Sequence, residues 1–167
     1  MRKGVAYSLV MTTSLWLAPA HTADVTGQSF IKDAIEGNLA EVQVGKLAQQ
    51  KGQSEAVRSF GQMLERDHAE ANQRATSVAK VLGIDPPTQP NDKQRAAYDR
   101  LSKLSSREFD WQFVADMIED HEADMRKFES EAKKSDQAAD YAKQTLPTLR
   151  NHLLTAQKLS PSATGSR

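Results

Sequence analysis

The sequence predicts an all-α fold built from four long helices. Between Gly27 and Leu159 apolar and small residues recur at helical spacing, no stretch alternates with the period of two that a strand requires, and β-branched and aromatic residues are sparse. Glycine, serine and proline punctuate this pattern at intervals that divide it into rods.

The first helix is expected from about Ser29 to Lys51, where Gly52 stops it. Ser54, with Glu55 behind it, caps a second that continues to Leu82 before Gly83. So short a turn makes these two an antiparallel pair. Pro86, Pro87 and Pro90 then forbid helix, and Asn91 or Asp92 caps a shorter helical piece through Leu104. The connector before the next long helix is about 22 residues, long enough to cross a bundle. Ser105 or Ser106, followed by Glu108, opens a third long helix to about Lys134, and a fourth runs from about Asp136 to Leu159. Pro147 removes one amide inside that last helix and is expected to kink it about one turn before His152. Four long helices, a tight first turn and a long helical crossover between helices 2 and 3 match the ferritin-like four-helix bundle. An up-and-down bundle with a decorated loop is the alternative topology.

At 167 residues the chain suits one compact domain. Residues 1–23 read as a secretory signal peptide. They have a basic start at Arg2 and Lys3, an apolar stretch from Gly4 to Leu17, and small residues that allow cleavage after Ala20 or Ala23. Tyr7, Ser8, Thr12, Thr13 and Ser14 interrupt that stretch, so it falls short of a membrane-spanning helix. No transmembrane span is expected after cleavage, and the periplasm or cell envelope is the expected location; an uncleaved anchor is the alternative. The helical domain then occupies residues 24–160, and residues 161–167 are expected to be a disordered tail. No cysteine is present, so the core must hold without disulfides. Loss of the leader leaves about 20 basic residues against 22 acidic ones, too even a balance for a nucleic-acid footprint.

Steps of four and three along the second helix join Val57, Gly61, Leu64, His68, Ala71, Ala75, Val78 and Leu82 into one inward seam. The same stepping on the fourth gives Ala138, Ala142, Thr145, Leu149, His152 and Ala156. The third gives Val114, Met117, His121, Met125 and Phe128, and the first gives Phe30, Ala34, Gly37, Glu41, Val44 and Ala48. Each rod therefore contributes one candidate metal ligand: Glu41, His68, His121 and His152. At about 1.5 Å of rise per residue these lie roughly 17 to 25 Å from their nearest turns, near the middle of a bundle about 44 Å long. Three imidazoles and a carboxylate form a donor set for Zn, Cu, Fe or Mn. Asp67, Asp120 and Asn72 are placed to act as outer partners of the ring N–H groups. Met117 and Met125, one turn either side of His121, are candidate soft ligands for Cu(I), although core packing also accounts for them.

The segments Glu41 to Ala48 (EVQVGKLA), Phe60 to His68 (FGQMLERDH), Met117 to His121 (MIEDH) and Leu146 to His152 (LPTLRNH) together resemble a bacterial family, the domain of unknown function numbered 4142. The resemblance spans Phe30 to Leu159. It implies a ferritin-like fold and an exported location, brings no established reaction, and points to Glu41, Asp67, His68, Asp120, His121, Pro147 and His152. Glu65 and His68 have the Glu-x-x-His spacing of di-iron bundles, but Ile118 and Leu149 stand where the other Glu residues would be needed.

Two functions follow from this reading. The first is an exported binding protein with a single-metal site in the bundle core. The second is a metal-free structural or interaction bundle in which the same residues form a buried hydrogen-bonded layer that fixes helix register. An enzyme ranks behind both, because no nucleophile is marked and four donors would fill a tetrahedral ion.

Overall fold

The computed structural model describes residues 25–160; the signal peptide expected over residues 1–23 and the tail over residues 161–167 lie outside them. Among the described residues the chain forms five α-helices and no strand: α1 Val25–Lys51, α2 Glu55–Val81, α3 Asp92–Ser102, α4 Ser106–Glu131 and α5 Gln137–Leu159. No described helix is long and apolar enough to cross a membrane.

The helix ends follow from local chemistry. Ser54 Oγ accepts from Val57 N (3.2 Å), and the Asp110 carboxylate accepts from Gln53 N and Ser54 N (2.8 and 2.9 Å), so the start of α4 helps to close the start of α2. Asn91 and Gln94 form a reciprocal capping box on α3. Asp136 Oδ1 accepts from Ala139 N at 2.7 Å and opens α5. At the end of α2, Gly83 adopts φ +70° and lets Ile84 N reach Ala79 O (2.9 Å) and its own N reach Lys80 O (3.2 Å), the paired bonds of a Schellman cap. The first helix begins about a turn earlier than its sequence pattern suggested, and α5 continues through Pro147 as a single helix.

Contacts at the two ends fix the directions. Lys51 Nζ donates to Leu104 O (2.9 Å) beside the α1–α2 turn, whereas Lys134 Nζ donates to Thr26 Oγ1 (2.7 Å) and Gln28 Nε2 to Leu82 O (3.2 Å) at the opposite end. The segment carrying α3 therefore travels the length of the molecule, and α4 starts at the same end as α2. Consequently α2 and α4 run parallel, while α1 with α2, α4 with α5, and α2 with α5 pair antiparallel.

The α1–α2 pair is the most intimate. A Cβ on Gly45 would lie 2.6 Å from Gly61 O, and one on Gly61 would lie 2.6 Å from Gly45 O, so each glycine admits the other's backbone. By contrast α1 and α4 stand further apart, with α3 lying across both.

The apolar core is divided in two. Leu47, Phe60, Leu64, Phe109, Phe113 and Met117 fill the end near the α1–α2 turn, and Ile31, Ile35, Ala75, Phe128, Tyr141 and Leu149 fill the other. Between them every long helix carries a buried polar residue: Asn38 and Glu41 on α1, His68 on α2, His121 on α4 and His152 on α5.

Candidate metal centre

The inward seams of α2, α4 and α5 bring His68, His121 and His152 together at the boundary of the two apolar clusters. Their ring centroids form a near-equilateral triangle, 5.2 Å from His68 to His152, 5.3 Å from His121 to His152 and 5.8 Å from His68 to His121. One donor nitrogen from each lies within 4.8 Å of the others. All three rings are buried, His152 completely.

The outer hydrogen bonds decide which nitrogens face inward. His121 Nδ1 lies 2.9 Å from the Met117 carbonyl oxygen, which can only accept, so Nδ1 carries the hydrogen and Nε2 is left with a lone pair. His152 Nε2 lies 2.9 Å from Asp67 Oδ2 and donates to it, which leaves the Nδ1 lone pair exposed to the centre. His68 Nδ1 donates to Asn38 Oδ1 at 2.9 Å, while its Nε2 is buried with no hydrogen-bond partner. Asn38 is held in turn by Tyr141 Oη, which accepts from Nδ2 at 3.0 Å, and Asp67 Oδ1 accepts from Arg66 Nε at 2.9 Å. Each imidazole is thus fixed in tautomer by a partner on its outer nitrogen, the arrangement that orients metal-ligating histidines.

This leaves a conflict inside the triangle. His121 Nε2 and His152 Nδ1 approach to 3.3 Å, yet in the neutral tautomers set by Met117 and Asp67 both are acceptors. A proton between them would require an imidazolium, and the surroundings oppose one. Burial, reinforced by the charge of His152, pushes His121 down to about 4 despite its bond to the Met117 carbonyl. His68 is driven well below its usual value by burial and then by the other two histidines. His152 is lowered by burial, with Asp67 pulling in the opposite direction. A cation among the three lone pairs would resolve the conflict. Imidazole nitrogens at about 2.0–2.1 Å from a tetrahedral ion stand about 3.3 Å apart, the separation of this pair.

Glu41 is not part of this group of donors. It is buried on the α1 face that looks toward α3 and α4, and its Oε2 has no hydrogen-bond partner. Asn38, one turn earlier, takes the place on α1 beside the histidines. Of the expected outer partners, Asp67 holds a ligand ring directly. Asp120 lines a separate cavity with Glu41, and the partner of His121 Nδ1 is the Met117 carbonyl instead. Asn72 Oδ1 is buried without a partner rather than accepting from a ring. Met117 packs in one apolar cluster and Met125 against the other. Glu65, three residues before His68, is engaged outside the triangle by Gln49 Nε2 at 2.6 Å.

A cavity of about 730 Å³ opens between α1 and α4 and reaches His68 and Asn38, with Asp33, Asp124 and Glu131 on its walls. It reaches the edge of the triangle at His68 from outside.

The model of the family described as Domain of unknown function (DUF4142) matches residues 13–159. The chain belongs to this family. The DUF4142 match covers every residue of the centre, from Asn38 to His152. No curated protein and no solved structure matches the chain. The family description carries no reaction.

Proposed function

We propose that this chain is an exported binding protein of the periplasm or cell envelope. On this reading, a ferritin-like four-helix bundle holds one transition-metal ion between His68 Nε2, His121 Nε2 and His152 Nδ1. The observation that carries the metal reading is the convergence of three buried lone pairs whose tautomers are set from outside. Neutral imidazole suits Zn, Cu, Fe and Ni better than the hard ions Mg and Ca, and Mn lies lower in affinity. The parallel α2 and α4, joined by a crossover that runs the length of the molecule, support the ferritin-like assignment. The basic, apolar and small-residue order of residues 1–23 supports export.

The chain would hold the ion by three protein donors. Asp67 orients His152, Asn38 orients His68, and the Met117 carbonyl orients His121. The cavity at His68 leaves a side from which a further donor, water or a small ligand, could complete the coordination.

The metal-free layer is favoured by one contact, the 3.3 Å approach of His121 and His152, read as a hydrogen bond. That reading needs a shared proton and hence a buried imidazolium stabilised by Asp67. Metal analysis separates the two readings. Protein expressed with its leader, purified without a histidine tag and mass-measured for a start at His21 or Asp24 should carry up to one equivalent of Zn, Cu, Fe or Mn. A His68→Ala, His121→Ala double variant should carry none. No bound metal, together with no rise in melting temperature on adding these ions, would refute the proposal.

A further inference from the structure

The cleft between α1 and α4 holds a second group of acids that the histidine centre does not use. A cavity of about 250 Å³ beneath α3 is lined by Glu41, Asp116, Asp120 and Asp124, with Lys93 and Lys127 among its other walls. Glu41 is 9 % exposed, faces this space, and leaves Oε2 buried without a partner. A carboxyl oxygen so placed forfeits hydration and gains no hydrogen bond in return, which is costly unless a ligand completes it.

The neighbouring acids make the cost larger. Glu41 is raised well above the usual carboxylate range by burial first and then by the charges of Asp120, Asp124 and Asp116. Asp116 is already held, by Arg100 Nη2 at 2.9 Å and by Gln112 Nε2 at 2.7 Å. Lys127 Nζ lies 3.3 Å from Asp124. Glu41 and Asp120 are thus the two acids left to face the cavity with no hydrogen bond or ion pair of their own among the described residues.

We propose that this cavity is a second cation site, distinct from the histidine centre. It would hold a hydrated hard divalent ion of the Mg or Mn class through Glu41 and Asp120, with Asp116 and Asp124 adding negative charge around it. The chemistry of such ions fits the arrangement. They take oxygen donors, bind through one or two carboxylates, and keep several waters, which a cavity of this size accommodates. Because the imidazoles turn their lone pairs elsewhere, the two sites would sort ions by softness, nitrogen donors in the core and oxygen donors under α3.

The test uses the full chain and Mn²⁺, with free Mn²⁺ read by its EPR signal, after no more than one equivalent of zinc has been added to fill the histidine centre. One equivalent of Mn²⁺ should bind and be displaced by Mg²⁺. Glu41→Gln and Asp120→Asn should each weaken that binding at least tenfold, while His68→Ala, titrated without zinc because its histidine centre no longer retains that ion, should leave it unchanged within a factor of two. Glu41→Gln should fold at least as well as the parent, because Gln keeps the shape and removes the buried charge. Circular dichroism melts of both acid variants identify any loss of binding that comes from unfolding. Absence of Mn²⁺ binding, binding that survives both acid substitutions, or binding lost in His68→Ala with the fold intact overturns the proposal. If the chain takes no zinc, the same titration is run without it, so failure of the histidine site and failure of the carboxylate site are read separately.

Discussion

Acidifying the metal-free protein should expose the cost of burying His121. The ring is 2 % exposed, and its folded pKa of about 4 lies below the ordinary value of 6.5. Because the folded value is the lower one, the fold favours the neutral ring. That contribution is fully present above pH 6.5 and is lost as pH falls toward 4. The interval between the two values corresponds to about 3 kcal/mol. Total stability will not report it cleanly, since Asp120, raised to about 6 by burial and by Asp124, Asp116 and Glu119, and the raised Glu41 change in the opposite sense over the same range. The informative quantity is the stability of the parent minus that of His121→Leu, from urea denaturation of chelator-treated protein between about pH 7.5 and about pH 4.5. This difference should shift against the parent by about 2.5 kcal/mol over that range. Removing His121 also relieves His68 of a positive neighbour, which moves the difference the same way. A difference that stays constant with pH would refute the claim that His121 is buried neutral.

Asp67→Asn keeps an acceptor near His152 but removes the carboxylate, and metal affinity measured by competition with a chromophoric chelator should fall about 10–100-fold with the fold intact. Gly61→Ala places a Cβ 2.6 Å from Gly45 O and 2.7 Å from Ala48 Cβ; the helix-propensity gain of about 1 kcal/mol is outweighed by overpacking of about 1–3 kcal/mol, so the urea midpoint should fall. Glu41→Gln should stabilise the cation-free protein at neutral pH. The folded pKa of Glu41 is the raised one, so its penalty grows as pH rises above the ordinary value of 4.5 and vanishes below it; thermal melts at both ends of that range check the sign.

The legible part of this molecule was the part governed by short-range rules. Ser54, Asn91, Asp136 and Gly83 announce helix ends because each satisfies a backbone group within a few residues, and the structure places caps at all four. The seams of α2, α4 and α5 were legible because apolar residues flank each histidine at steps of three and four. The first helix was harder. Stepping through Glu41 selected the row Phe30, Ala34, Gly37, whereas the deepest row runs through Ile31, Ile35 and Asn38. Those two fully buried isoleucines, one turn apart and followed at three residues by a polar Asn, were the signal that would have found it. The bonds from Asn38 to Tyr141 and from His68 to Asn38 join positions on different helices, whose register depends on how the helices dock, which periodicity along a single helix does not encode.

Nitrogen-resolved NMR of the three histidine rings during a zinc titration tests the central claim most directly. The metal-free protein should show hydrogen on His68 Nδ1, His121 Nδ1 and His152 Nε2, and one equivalent of zinc should shift the opposite nitrogens, His68 Nε2, His121 Nε2 and His152 Nδ1, in concert. Rings that keep their metal-free signals, or a stable proton shared between His121 and His152 that zinc does not displace, would contradict the account and assign the histidines to a structural layer.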